Sequence, residues 1–134
     1  MVKKITIESD IKNLRIVEKA IDTITAEAGI NQENYGKILI STVEAVNNAI
    51  IHGNKSDKNK HVCIQIEVKK NKLEIKVEDE GNGFKPDKVP DPTKPEKIES
   101  VNGRGVFLMK KLADRIEFNK KGNCVKMTFK NIIP

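Results

Sequence analysis

STVEAVNNAIIHGN, residues 41–54, decides how this chain is read. Val43, Ala45, Val46, Ala49, Ile50 and Ile51 suit a packed helix, yet Glu44, Asn47, Asn48 and His52 are set among them. Glu44 and Asn48 stand four residues apart, so a helix stacks them on one face with roughly 5–6 Å between their β-carbons. Val43, Val46 and Ile50 then turn toward the core. A carboxylate and a carboxamide at the rim of an apolar helix are either a solvated pair or the edge of a site. The pattern ExxxN alone leaves both open.

Outward from this stretch, the helix is expected to start near Asn31, run to about His52 and stop at Gly53-Asn54. Before it, KKITIE (residues 3–8) alternates as a strand. Asp10 can cap a helix from about Ile11 to Ala28, with Leu14, Val17, Ala20, Ile21 and Ile24 on one stripe and Gly29 at its end. After it, VCIQIEV (62–68) and LEIKVED (73–79) have period two and form a hairpin about KKNK. Val62, Ile64, Ile66 and Val68 share a face with Leu73, Ile75 and Val77. A short helix is expected from about Val106 to Ala113, and 115–119 with 124–130 make a last hairpin around KKGN. The order predicts a single α+β domain over 1–134, a two-layer sandwich with a mixed, mostly antiparallel sheet and its helices on one face.

Residues 81–105, GNGFKPDKVPDPTKPEKIESVNGRG, differ in kind. They hold four of the five prolines and show no period. A loop of this length inside a compact domain reads as a lid or as disorder.

Composition narrows the class. Apolar residues at 37% and charged residues at 33% of 134 suit one soluble globular domain. No run is long and apolar enough to span a bilayer, and the N-terminus has no apolar signal core, so a cytoplasmic protein off the membrane is expected. Cys63 and Cys124 lie far apart and in no CxxC, which suits reduced structural thiols. Without secretion, the glycosylation sequon Asn54-Lys55-Ser56 means nothing. The charge of +6 comes almost wholly from scattered lysines, with Arg15, Arg104 and Arg115 the only arginines. With 4% aromatics, that distribution argues against direct nucleic-acid binding.

Two more segments can carry chemistry. In Asp79-Glu80-Gly81-Asn82-Gly83-Phe84 a strand ends in an aspartate, and glycines at alternate positions let a ligand approach the backbone. A calcium loop fails there, because Gly81 and Pro90 fall where liganding oxygens are required. In Gly103-Arg104-Gly105-Val106-Phe107-Leu108 glycines run into a helix start, where free N–H groups favour an anion and Arg104 adds a planar cation. No strand precedes it and Leu108 replaces the third glycine, so it is not a dinucleotide fingerprint, and a phosphate-binding Walker loop is absent. Taken singly, each segment is also compatible with a plain turn.

In their order, helix ExxxN, strand-end DxGxG, long lid and GxG at a helix start resemble the ATP-binding fold shared by gyrase, the heat-shock chaperones, histidine kinases and the MutL proteins. EAVNNAIIHGN and the small size look most like the bacterial anti-sigma-factor serine kinases of the RsbW type. The resemblance implies ATP and Mg²⁺ as cofactors, with Asn48 as the metal ligand and Glu44 as the general base toward a substrate serine. It implies that Asp79 accepts from the adenine amino group, with Gly81, Gly83 and Phe84 beside the base. Residues 84–105 would make the ATP lid. Gly103, Gly105 and Val106 would bring backbone to the phosphates, and Arg104 would contact the γ-phosphate. The lid lysines Lys85, Lys88, Lys94 and Lys97 read as solvated, Asn47 as structural and His52 as a rim residue.

The implied partners are a sigma factor, an anti-anti-sigma protein with a STAS domain, and a second copy in a homodimer. The chain departs from the family at two places: Val106 stands where many relatives have leucine, and Cys124 follows Gly122-Asn123 where a threonine is common. Two other functions remain: a nucleotide-dependent binding switch with little or no phosphotransfer, and a detached histidine-kinase-type catalytic domain. His52 and His61 are poorly placed for the latter.

Overall fold

The computed structural model describes residues 1–81 and 101–133. Five strands form one sheet in the order β1-β2-β3-β5-β4. They are β1 (Val2–Glu8), β2 (His61–Lys69), β3 (Lys72–Glu78), β4 (Arg115–Phe118) and β5 (Cys124–Lys130). All four pairings are antiparallel, where a mixed sheet had been allowed for. The reason is connectivity. β1–β2 and β3–β5 are joined through helices but return in opposite directions, and the other two pairs are hairpins.

The period-two pattern fixes the central register. Ile64 faces Val77, Ile66 faces Ile75 and Val68 faces Leu73. On β5, Val125, Met127 and Phe129 continue the same apolar layer. Lys76 and Lys126 point the other way, and there Lys126 reaches Glu74 at 2.8 Å and Lys72 reaches it at 3.2 Å. One face is thus the core and the opposite face is charged. Ile66 and Ile75 are fully buried. Ile66→Ala is expected to cost roughly 2–5 kcal/mol, as a downward shift of the urea midpoint with an unchanged slope.

The core face is covered by α1 (Leu14–Ala28), α2 (Gln32–Asn48) and α3 (Val101–Leu112). A 3-10 turn at Ile11–Asn13 precedes α1, with Asp10 Oδ1 accepting from the Lys12 N–H. Gly29 ends α1 at φ 70°, a left-handed position that costs glycine nothing. Asn31 caps α2 by accepting from the Asn34 N–H at 2.9 Å. After Asn48 the chain continues as a π-helical turn, Ala49–Gly53, so the helical path still ends where Gly53-Asn54 predicts. Val46 and Ile50 are fully buried, as the spacing requires, whereas Val43, expected on the same face, is only partly buried.

One element differs from expectation. α3 begins at Val101, not near Val106, and stops at Leu112. Gly103 and Gly105 are therefore inside its first two turns, and the last residues of the expected lid, 101–105, are helical. Residues 82–100, with Gly83, Phe84 and the four lid lysines, lie outside the described residues.

Candidate active site

Two helices, the central strand β3 and the last hairpin converge on one cleft. α2 contributes Ala45 and Asn48, and the π-helical turn after it adds Ala49, His52 and Gly53. β3 and the turn after it supply Val77 and Asp79. Val106 and Met109 of α3, with Phe118, Gly122, Asn123, Cys124 and Val125 of the last hairpin, close the cleft. Its walls are mainly apolar, and its polar groups sit at separate places. Asn48 stands at one and Asp79 with Asn123 at the other. A flat apolar ring with a polar edge suits such a slot. Ala45 and Ala49 share a helical face with Asn48, and their small side chains leave the space open.

At the first end, both amide atoms of Asn48 are buried and have no hydrogen-bond partner among the described residues. Burying a carboxamide without a partner costs about 1–3 kcal/mol per unsatisfied group, so this one calls for a partner that the described residues do not supply. Gly105 of α3 comes down on this residue. A β-carbon there would lie 2.6 Å from Asn48 Nδ2 and 3.1 Å from Glu44 Oε2. The same distances place Glu44 and Asn48 side by side under α3, as their four-residue spacing predicts. Of Gly103 and Arg104 only the helical backbone is described. Their N–H groups belong to the first turn of α3, where no intrahelical partner exists.

At the second end the chain is packed backbone to backbone. A β-carbon on Gly53 would strike the Asp79 carboxylate, and one on Gly81 would strike the Gly53 carbonyl. The Gly81 N–H donates to Asp79 Oδ1 at 2.8 Å. Asp79 and Asn123 are tied twice: the Asp79 N–H donates to the Asn123 carbonyl at 2.9 Å, and Asn123 Nδ2 donates to the Asp79 carbonyl at 2.8 Å. Half-burial is the main cause that pushes the Asp79 carboxyl above its ordinary range, against the pull of the Gly81 N–H. Burial likewise pushes the Cys124 thiol up, so it packs here as a small neutral group. Gly53→Ala is expected to destabilise by roughly 1–3 kcal/mol through overpacking. A thermal melt measures this.

Among the predicted residues, Asn48, Asp79 and Val106 line the cleft, Gly81 and Gly105 pack against its ends, and Glu44 sits beside Asn48. His52 is an exposed rim residue, as expected. Gly53, Asn123 and the apolar walls were not foreseen as site residues.

Residues 7–129 match the family described as histidine kinase-like ATPase domain. The chain belongs to that family. It is 30% identical over 120 residues to the serine-protein kinase RsbW of Bacillus subtilis, a match covering 84% of this chain and 75% of that protein. The serine-protein kinase RsbW of Bacillus licheniformis matches with the same identity and coverage. It is therefore a member of the RsbW serine-protein kinases within the ATPase family. A crystal structure of the RsbU and RsbW domains of a Mycobacterium tuberculosis protein shares the fold, with a TM-score of 0.71 at 19% identity. That likeness spans all of this chain and 33% of the other. No helix among the described residues is long and apolar enough to cross a membrane.

Proposed function

We propose that this chain is an ATP-dependent serine-protein kinase and anti-sigma factor. It phosphorylates a serine of an anti-anti-sigma protein with a STAS domain and sequesters a sigma factor, as a cytoplasmic homodimer. The observation that carries the reading is the cleft itself. A half-buried carboxylate stands at one end, and at the other, with Glu44 beside it, a buried carboxamide that has no partner among the described residues.

The adenine ring enters between the Ala45–Ala49 face and the sheet, and its amino group donates to Asp79. A carboxylate there accepts from an amino group and repels the carbonyl that guanine carries at the same position. The phosphates then extend toward Asn48 and the first turn of α3. Asn48 Oδ1 fits a Mg²⁺ ion, a hard cation that takes few protein oxygens and completes its shell with phosphate and water. When bound, that ion supplies neutralisation of the phosphate charge. The free N–H groups at the start of α3, with Arg104, hold the terminal phosphate and balance charge that develops on it.

The acceptor serine docks at the Glu44 side. Its oxygen forms the new bond to the γ-phosphorus while the bond to the β-phosphate oxygen breaks. ADP leaves, and the serine proton passes to the Glu44 carboxylate. The test is to incubate the purified chain with γ-labelled ATP, Mg²⁺ and a STAS-domain anti-anti-sigma protein from the same organism. Label is expected on a serine of that protein. No label, with ATP bound normally, removes the kinase assignment and leaves the nucleotide-dependent binding switch.

A further inference from the structure

Asn54 follows the glycine that stops the second helical stretch, and apart from an idle glycosylation sequon the sequence reads it only as part of that stop. In the fold it is 1% exposed and fully bonded. Its Nδ2 donates to Ser9 Oγ at 2.8 Å and to the His61 carbonyl at 3.0 Å. Its Oδ1 accepts from the Glu80 N–H at 2.8 Å. Ser9 Oγ donates onward to the Lys60 carbonyl at 2.7 Å, and the Glu80 carboxylate accepts from the His61 N–H at 2.5 Å. One carboxamide thus joins the end of β1, the start of β2 and the turn after β3. Only a side chain with two donors and an acceptor on one short stem can do so.

The third of these bonds bears on the cleft. Glu80 lies between Asp79 and Gly81, and the Gly81 N–H is the donor that holds Asp79 Oδ1. Gly53, the residue before Asn54, packs against the Asp79 carboxylate and, through its carbonyl, against Gly81. Asn123 fixes the Asp79 backbone from the β5 side. The backbone of the turn is therefore held by a side chain from each side, Asn123 at residue 79 and Asn54 at residue 80, with the Glu80 carboxylate on the His61 N–H and the packing of Gly53 beside them.

We propose that Asn54 is a positioning residue for base recognition: its bond to the Glu80 N–H sets the turn that aims the Asp79 carboxylate at the amino group of the base. The proposal rests on the reading that Asp79 receives that amino group. It separates the three bonds of Asn54 by consequence. Those to Ser9 and His61 hold β1 and β2 together, and the one to Glu80 holds the site. Losing the first two lowers stability alone, whereas losing the third lowers selectivity for the 6-amino group.

Calorimetry with ATP and with purine riboside triphosphate, which lacks only the 6-amino group, tests this in the presence of Mg²⁺. Wild type is expected to bind ATP more tightly. In Asn54→Ala and Asn54→Ser, ATP affinity is expected to fall about tenfold, the scale of a misplaced hydrogen bond to a charged group, while affinity for the probe stays nearly constant. Asn54→Asp keeps an acceptor for the Glu80 N–H and is expected to retain most of the preference for ATP. It also serves if the Ala and Ser variants do not fold. Ser9→Ala is expected to lower the melting temperature without changing the preference. If ATP and probe weaken by the same factor in the Asn54 variants, the residue is merely structural and the proposal is overturned. If wild type itself does not distinguish the two nucleotides, the assignment of Asp79 fails instead, and the proposal falls with it.

Discussion

Glu44→Gln is expected to lower the rate of phosphoryl transfer to the acceptor serine by roughly 10²–10⁴, the range carried by a positioned general base, with ATP affinity nearly unchanged. The isosteric change matters because Gly105 leaves no spare room. A β-carbon at that position would already lie 3.1 Å from Glu44 Oε2, so a larger or reshaped side chain would displace α3 as well. Glutamine keeps the shape and loses only the capacity to take the proton. Single-turnover assays with labelled ATP, beside calorimetry on the same preparation, separate the two quantities. A rate within tenfold of wild type would mean that the proton leaves by another route. An ATP response of the partner protein that survives intact, with transfer undetectable in wild type as well, would favour the binding switch.

The central hairpin was legible because its signal is local. Alternation over 62–68 and 73–79 fixes which side chains face the core, and a one-residue slip would bury Lys76 and expose Ile75. α2 was legible for the same reason, with a capping asparagine at one end and Gly53 at the other. The start of α3 was not. Gly103 and Gly105 read as a turn running into a helix start, since glycine in a helix interior costs about 1 kcal/mol against alanine. In the fold Gly105 serves a tertiary purpose: α3 lies so close to α2 that any β-carbon there would meet Asn48. A glycine chosen for clearance and one chosen for a turn look alike in sequence.

The site divides in the same way. Glu44 and Asn48 could be paired from helical spacing, and Asp79 from its place at a strand end followed by glycine. Their convergence on one cleft could be inferred only from the resemblance. The support of the Asp79 turn was invisible. Asn54 meets Glu80 across 26 residues and Asn123 meets Asp79 across 44, separations at which no local pattern reports a contact. Asparagine after a helix-stopping glycine is ordinary turn chemistry, so nothing marked Asn54 as different.

Asp79→Asn is expected to weaken ATP binding by roughly 10- to 150-fold, the worth of a hydrogen bond to a charged acceptor, without destabilising the protein at neutral pH. The stability half follows from the direction of the carboxyl's shift. Burial, the largest cause, raises its folded pKa above the unfolded value. The folded state then holds that proton more tightly, so the group's contribution to stability is present below the unfolded pKa and is lost as pH rises through the folded one. At neutral pH the ionised carboxylate is a cost, and the neutral amide removes it. The melting temperature of the variant at pH 7 is therefore expected to equal or exceed that of wild type, and the difference should vanish as the pH is lowered. ATP affinity of wild type should fall over the same interval toward that of the variant, as the acceptor takes up its proton. A variant that binds ATP as tightly as wild type at pH 7 would remove Asp79 from the recognition of the base. A variant that binds weakly but also melts far lower would show that the carboxylate is held for the fold and not for the nucleotide.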